Sequence, residues 1–428
     1  MKKLSLLSLF LFICICQMNA QTGAWSGNLE VQGTKIPLVF HLDDEKPTMD
    51  SPAQGAKGIP MQLTRIESDS ISINIPMIGA SFKGKYSGSE IVGTFAQWGM
   101  ELPLVLHGGD ITFRRPQTPK PPFPYQQEEV TFANGDAVLK GTLTLPENYS
   151  RKTPVVIMVT GSGLQNRDEE IYEHKPFAVI ADALARNGIA SLRYDDRGFA
   201  QSTGDLVNCT TEDLMYDALA GINLLRQRFY KVGILGHSEG GSIALLLGAD
   251  KKVDFIVSLA GMVVSGKETL MDQNRLAFTH TNYPQEVADE YCELISAIFD
   301  NDATAADKLE ASNIPAELKQ NLQTGIQQMK SPYMVYFVAL NPSKKLSDIT
   351  CPVLALNGKK DTQVFYQKNL EALTKGLPKN ERNQIVALED LNHMFQHCQT
   401  GASTEYGQIE ETISPEVLTL ITDFIKRQ

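Results

Sequence analysis

The second half of the chain alternates apolar runs with amphipathic stretches of helical period. The runs are short and continuous, as in strands buried on both faces of a sheet; they fall at residues 153–160, 189–194, 232–235, 255–259, 352–356 and 383–388. Between them, apolar side chains recur every three or four residues, as at Phe177, Ile180, Ala181 and Leu184. This alternation predicts an α/β fold with a doubly wound, mostly parallel sheet over residues 128–428.

One stretch interrupts the alternation. Residues 262–346 are rich in Ala, Gln, Glu and Leu, which predicts several helices and gives a poor strand signal. Because this stretch follows one predicted strand and precedes the next, we expect it to form a helical cap over the carboxyl edge of the sheet.

Short runs with an alternating apolar and polar pattern dominate residues 21–115, notably at 36–42, 70–76 and 102–106. The pattern predicts a small all-β domain, either a sandwich or an open barrel. Trp98 offers an aromatic face to a sugar or peptide, but core packing is the favoured interpretation. The proline-dense sequence RRPQTPKPPFPY at residues 114–125 favours extended chain, so we place a linker at residues 116–127.

Residues 1–20 differ in pattern from the rest. Two lysines precede a mostly apolar run at residues 4–16, and polar residues follow it. This predicts a secretory signal peptide cleaved after Ala20, and hence a periplasmic or secreted protein. The run is too short for an ordinary transmembrane helix, and no later segment is long enough. A lipoprotein anchor is less favoured, since isoleucines precede Cys14 and Cys16 where small residues are expected.

Charge and cysteine content exclude several classes of protein. The formal net charge is −11 and there is no basic run, which argues against nucleic acid and anionic membrane surfaces as partners. Beyond the signal peptide, the cysteines are Cys209, Cys292, Cys351 and Cys398. They are widely spaced without a C-x-x-C motif, so no zinc site is expected. Disulfide pairing and separate buried thiols both remain open.

The strongest chemical motif is GHSEG at residues 236–240, between an apolar strand and a helix of small residues. A G-x-S-x-G sequence in this setting predicts a nucleophile elbow with Ser238 on a sharp, strained turn. Gly236 and Gly240 are expected because neighbouring backbone approaches them closely. The start of the following helix adds partial positive charge beside the Ser238 hydroxyl, where an oxyanion would form.

A serine nucleophile needs a base to take its proton and an acid to orient that base. Asp361 follows the predicted strand at 352–356, and His393 follows the strand at 383–388. Both fit the order Ser, Asp, His in which such groups follow successive strands. His397 is the second candidate for the base. Asp390 is a weaker candidate for the acid, since its closeness to His393 favours a turn cap.

Acyl transfer also needs N–H donors for the oxyanion. We expect one from Glu239, directly after the nucleophile, and one from Ser162 in the flexible Gly161-Ser162-Gly163 loop, with Gly163 as the second choice. The neighbouring acidic residues 168–170 offer an anchor for a substrate amine. A solvated turn partly paired with Arg167 is the favoured interpretation.

Five motifs together resemble the α/β-hydrolase serine esterases, and more narrowly the EstD-like branch of bacterial carboxylesterases with a small N-terminal β domain. They are GSGLQNRDE (161–169), YDDRGF (194–199), GHSEG (236–240), LNGKKD (356–361) and LNHMF (391–395). The resemblance implies activity on short-chain acyl esters, no cofactor, and catalysis by residues matching Ser238, Asp361 and His393. Ala200 departs from the pattern, because relatives commonly have glycine there.

These observations favour an exported serine carboxylesterase that hydrolyses small esters through an acyl-enzyme. The first alternative is a serine peptidase or aminopeptidase, because the same three groups cleave amides. The second is a glycan- or peptide-binding protein that uses its β domain and carries a vestigial hydrolase domain. Neither a cofactor nor a metal is expected in any of the three.

Overall fold

The computed structural model describes residues 22–31, 34–43, 45–52, 56–67, 69–97, 99–111, 114–279 and 281–428. The predicted signal peptide and Trp98 lie outside the described residues. The chain forms two compact units, Met1–Thr112 and Phe113–Gln428.

The first unit is an antiparallel β-sheet. Its strands are β1 (Gly23–Val31), β2 (Thr34–Leu42), β3 (Thr48–Ser51), β4 (Ala56–Pro60), β5 (Gln62–Glu67), β6 (Ser70–Ile75), β7 (Ala80–Ser87), β8 (Glu90–Gln97) and β9 (Met100–Gly108), with a 3₁₀ turn at Pro76–Ile78. The order across the sheet is β4-β3-β2-β1-β9-β8-β7-β6-β5. The two outermost strands are separated in the chain by Met61 alone, so the sheet nearly closes on itself. The predicted all-β fold is confirmed.

Alternating side chains fill the core of this sheet. Phe40 and Phe82 are fully buried, with ring centroids 5.6 Å apart. Trp25 is also buried and meets Tyr86 edge-on at 5.7 Å. The two-residue period of the strands puts one set of side chains inside, which is what the sequence pattern predicts.

The second unit contains an eight-stranded sheet. Its strands are β10 (Tyr125–Asn134), β11 (Ala137–Pro146), β12 (Val155–Val159), β13 (Ala190–Tyr194), β14 (Val232–His237), β15 (Ile256–Leu259), β16 (Val353–Gly358) and β17 (Gln384–Leu388). The order is β10-β11-β13-β12-β14-β15-β16-β17, parallel from β13 to β17 and antiparallel at the β10 and β11 edge. The predicted doubly wound, mostly parallel sheet is confirmed.

Helices cover both faces of this sheet. They are α1 (Pro176–Arg186), α2 (Thr211–Arg226), α3 (Glu239–Ala249), α9 (Tyr366–Gly376) and α10 (Pro415–Lys426). The apolar sides of α2, α3 and α9 belong to one hydrophobic cluster, and those of α1 and α10 belong to another. Strands that are buried on both faces therefore read as continuous apolar runs.

The segment predicted as a linker belongs to the second unit and packs against its C-terminal part. The Gln117 side chain donates to the carbonyl of Ile413 at 2.8 Å and accepts from the N–H of Thr412 at 2.5 Å. Strand β10 begins at Tyr125, three residues before the predicted start of the catalytic domain at residue 128.

The predicted cap consists of helices between β15 and β16. They are α4 (Gly266–Thr279), α5 (Gln285–Phe299), α6 (Ala305–Ala311), α7 (Ala316–Gln328) and α8 (Pro332–Ala339), followed by a 3₁₀ helix at Pro342–Asp348. Helices α4 to α8 share a hydrophobic cluster of their own. Among the described residues, no helix combines the length and apolar character that crossing a bilayer requires.

Candidate active site

Ser238 occupies a tight turn between β14 and α3. Its backbone is strained, with φ 53° and ψ −116°. A Cβ at Gly236 would lie 1.9 Å from the carbonyl oxygen of Gly240, and a Cβ at Gly240 would lie 2.1 Å from that of Val159. Any side chain at either glycine therefore collides with backbone. This is the geometry of a nucleophile elbow.

Asp361 and His393 meet on loops that follow β16 and β17. His393 Nδ1 lies 2.8 Å from Asp361 Oδ2, and both side chains are buried. The other carboxylate oxygen of Asp361 accepts the backbone N–H groups of Gln363 and Val364 at 2.8 and 2.9 Å. Held in this way, the carboxylate keeps a proton on Nδ1 and leaves Nε2 as the basic nitrogen of the ring.

Ser238 and His393 line one cavity of about 370 Å³ at the carboxyl edge of the sheet. The cap contributes to its walls, and the apolar part of the lining comprises Ile171, Met262, Leu270, Met334, Phe337, Val364 and Met394. The structure thus brings the predicted serine and histidine to one cavity, with Asp361 hydrogen-bonded to the histidine.

Both residues predicted to supply oxyanion donors, Ser162 and Glu239, line this cavity beside Ser238. The preceding N–H, that of Gly161, donates to the Glu169 carboxylate at 2.8 Å. Gly163, the second choice, adopts a left-handed φ of 95°.

The Glu239 side chain forms a contact with the cap that the sequence did not reveal. It is buried, and its two oxygens accept the hydroxyls of Thr211 at 2.6 Å and Tyr333 at 2.5 Å. Tyr333 lies on α8 and lines the cavity together with Ser162. Burial and the Glu239 carboxylate together raise the pKa of Tyr333 well above its ordinary value.

The prediction of a solvated acidic turn at residues 168–170 is wrong. Glu169 is 4% exposed, and its Oε1 accepts both the Gly161 N–H and a proton at Nδ1 of His237, 3.0 Å away. Such donors offset the cost of burying a carboxylate. Arg167 does not pair with the turn; its ionic partners are Glu129 and Asp195.

Asp196 is a second buried acid beneath the same loop. It accepts the Thr160 hydroxyl at 2.8 Å and the N–H of Gln165 at 2.7 Å. Burial raises its pKa to about 8 despite these bonds, and the negative charges of Glu169 and Glu239 add to the effect. The Asp196 carboxyl group therefore holds the loop after β12 through these two hydrogen bonds.

The competing candidates lie elsewhere. The His397 side chain is 57% exposed and pairs with Glu411 at 2.8 Å. Asp390 is exposed and pairs with Lys360 at 2.8 Å. Neither residue is among those that line the cavity.

Ala200, the departure from the esterase pattern, has a left-handed φ of 49° and is exposed. Glycine adopts this conformation without steric cost, which accounts for glycine in relatives.

Cys209, Cys292, Cys351 and Cys398 are free thiols. Within the described ranges, no group of three or more His, Cys, Asp or Glu side chains is arranged to hold a metal ion.

The profile of the X-Pro dipeptidyl-peptidase (S15) family matches residues 134–395. Esterase EstD of Thermotoga maritima is 26% identical over 303 residues, covering 69% of this chain and 67% of that protein. A Pyrococcus furiosus esterase structure aligns with a TM-score of 0.45 at 16% identity, covering 74% of this chain and 99% of the other. A proline iminopeptidase from Mycobacterium smegmatis aligns with a TM-score of 0.44 at 14% identity, covering 70% and 98%.

Proposed function

The chain belongs to the X-Pro dipeptidyl-peptidase (S15) family of α/β-hydrolases, and we propose that it is a carboxylesterase acting on small, short-chain acyl esters. It is a serine hydrolase similar to Esterase EstD. The observation that carries the proposal is that His393, paired with the buried Asp361, lines one capped cavity with the strained Ser238.

Each of these residues has a role in the proposed reaction. His393 Nε2 takes the proton of Ser238 as its Oγ attacks the ester carbonyl, and Asp361 stabilises the imidazolium that forms. The N–H groups of Glu239 and Ser162 bind the tetrahedral oxyanion. His393 then protonates the leaving alcohol. Water, activated by the same imidazole, releases the acid from the acyl-enzyme.

The hydrogen bonds that Glu169 and Glu239 already make favour ester substrates over peptide substrates. A dipeptidyl peptidase or aminopeptidase needs a carboxylate for the substrate ammonium group. Glu239 already accepts two hydroxyls, and Glu169 is bound by His237 and a backbone N–H. Withdrawing either carboxylate from its partners would leave buried polar groups unpaired. The buried Asp361–His393 pair, and the cavity that His393 shares with Ser238, also argue against a vestigial hydrolase domain.

The cavity favours small, uncharged substrates. Its volume of about 370 Å³ is at the lower end of the range for ligand pockets. Phe337 and Leu270 bring apolar surface from the cap. Among the described residues that line the cavity, none is a lysine or arginine. An anionic ester would therefore be desolvated without a lysine or arginine to pair with it.

The experiment compares p-nitrophenyl esters of increasing acyl length with aminoacyl- and X-Pro-nitroanilides. We expect hydrolysis of acetate and butyrate, a decline for longer chains, and no hydrolysis of the anilides. Ser238→Ala should abolish turnover and fluorophosphonate labelling. The matched control is Ser242→Ala, whose hydroxyl donates to the Met262 carbonyl. Anilides cleaved faster than esters, or full activity in Ser238→Ala, would refute the proposal.

We further propose that the protein is exported, on the basis of the sequence of residues 1–20. Mass spectrometry of the protein from a Gram-negative host's periplasm or medium is expected to give Gln21 as the first residue. Retention of Met1 in a cytoplasmic product would contradict this proposal.

A further inference from the structure

His237 precedes Ser238 in the chain, and both of its ring nitrogens have partners. Nε2 lies 3.0 Å from the carbonyl oxygen of His393, and Nδ1 lies 3.0 Å from Glu169 Oε1. A carbonyl oxygen only accepts, so Nε2 carries a proton and donates it to this bond. His237 thus contacts the main chain of His393, whose side chain is the proposed base.

Glu169 extends this contact to a third segment. The same oxygen that meets His237 accepts the N–H of Gly161 at 2.8 Å. Gly161 begins the loop after β12 and directly precedes Ser162, a proposed oxyanion donor. The Glu169 backbone is held in a left-handed conformation, with φ 52°. One carboxylate therefore ties the oxyanion loop to the elbow.

The Glu169–His237 pair is buried, at 4% and 6% exposure. Burial opposes protonation of the imidazole, but the carboxylate beside it outweighs that effect and raises the pKa of His237 above its ordinary value. A ring that carries both protons donates from both nitrogens, as the two contacts require. Charge-assisted bonds of this kind are stronger than neutral ones.

We propose that Glu169 and His237 form a positioning pair that holds the His393 loop and the Gly161–Ser162 loop in place on either side of Ser238. This inference rests on the proposed esterase function. The two loops follow different strands, β12 and β17, and strand pairing ends before either loop reaches Ser238. Beyond the end of the strand pairing, the hydrogen bonds of Glu169 and His237 link the two loops. The pair acts through His393 and Gly161, and takes no part in bond making.

Three substitutions test the proposal: Glu169→Ala, Glu169→Gln and His237→Ala. kcat and KM are measured with p-nitrophenyl butyrate, and kcat is normalised to active sites titrated with fluorophosphonate. We expect the alanine variants to lower kcat by about 10- to 100-fold, with KM changed by less than about 3-fold, because misplaced groups impair the transition state. Glu169→Gln should recover part of the loss, since its amide oxygen still accepts from Gly161.

The matched control is a buried histidine outside the cavity. His174 is fully buried, with its ring nitrogens 2.9 Å from Thr412 Oγ1 and 3.0 Å from the Tyr406 carbonyl oxygen. His174→Gln is expected to lower Tm while kcat per titrated site stays unchanged.

The outcomes separate cleanly. If the Glu169 and His237 variants lower Tm as His174→Gln does but keep wild-type kcat per titrated site, the pair is structural and the proposal is overturned. A rise in KM at unchanged kcat also overturns it, because it indicates substrate contact. Should the alanine variants not fold, wild-type kcat in Glu169→Gln decides against the proposal and a reduced kcat supports it. Failure of the proposed function differs from all of these, since wild-type protein would then hydrolyse no ester.

Discussion

The Tyr333 hydroxyl, on cap helix α8, donates a hydrogen bond of 2.5 Å to the carboxylate of Glu239, the residue after Ser238. This bond joins the cap to the nucleophile elbow. Because Glu239 is buried, its carboxylate oxygens need the hydroxyl donors that reach them. A hydrogen bond therefore links the cap, which lines the cavity, to the predicted oxyanion site.

Tyr333→Phe tests this connection. It leaves Glu239 Oε2 without its hydroxyl donor, so we expect the free energy of unfolding to fall by about 1–3 kcal/mol. We also expect KM for p-nitrophenyl butyrate to rise as the cap loosens. Denaturant unfolding and steady-state kinetics measure the two effects. Tyr336→Phe, one turn further along α8, is the control and should change neither. An unaltered KM in Tyr333→Phe would show that the bond does not hold the cap.

Asp361→Asn tests the orientation of the base. An amide nitrogen facing His393 Nδ1 favours the wrong tautomer, so kcat should fall on the order of 10⁴-fold, as in serine proteases. Circular dichroism should show a folded protein, because the amide oxygen still accepts the N–H groups of Gln363 and Val364. Asp390→Asn is the control, since Asp390 is exposed and pairs with Lys360. Equal kcat in the two variants would refute the assignment of Asp361.

Asp196 should make stability depend on pH. Burial raises its pKa from 3.8 to about 8. As pH rises from about 4 to about 8, the unfolded chain loses this proton while the folded protein retains it, so unfolding is favoured. Asp196→Asn resembles the protonated acid and does not titrate. Relative to this variant, the wild-type free energy of unfolding should decrease across that window and level off above it. If the free energies of unfolding of the wild type and of Asp196→Asn vary with pH in parallel, the raised pKa of Asp196 is contradicted.

Ala200→Gly should stabilise the protein. Alanine at a φ of 49° pays a steric cost that glycine avoids, so we expect a gain of about 1 kcal/mol in the free energy of unfolding. Ala306, exposed on α6, has helical backbone, and Ala306→Gly should instead cost about 0.5–1 kcal/mol. If denaturant unfolding shows that Ala200→Gly and Ala306→Gly change the free energy of unfolding in the same direction, the backbone conformation at residue 200 is not the cause.

The pattern of the sequence predicts the sheet and its helices closely. Phe177, Ile180, Ala181 and Leu184, whose spacing predicts a helix, lie on α1 and are buried there. Hydrophobic periodicity is set by local backbone geometry, which a single segment displays. The juxtaposition of Asp361 with His393 also follows, because parallel strands end at one edge of the sheet.

The surroundings of these residues could not be predicted in the same way. Glu169 stands in an acidic run that reads as solvated, yet it is buried against His237, 68 positions along the chain. Tyr333 reads as one apolar residue of a cap helix, and its bond to Glu239 spans 94 positions. Neither contact leaves a periodic signal.

By itself, the sequence determined the strands, the helices and the placement of Ser238, because short-range sterics and the burial of apolar faces act within each segment. Only the tertiary structure decided which donors reach Glu169 and Glu239. Hydrogen bonds between loops depend on how the cap and the sheet pack, and a buried carboxylate is stable only where that packing supplies its partners.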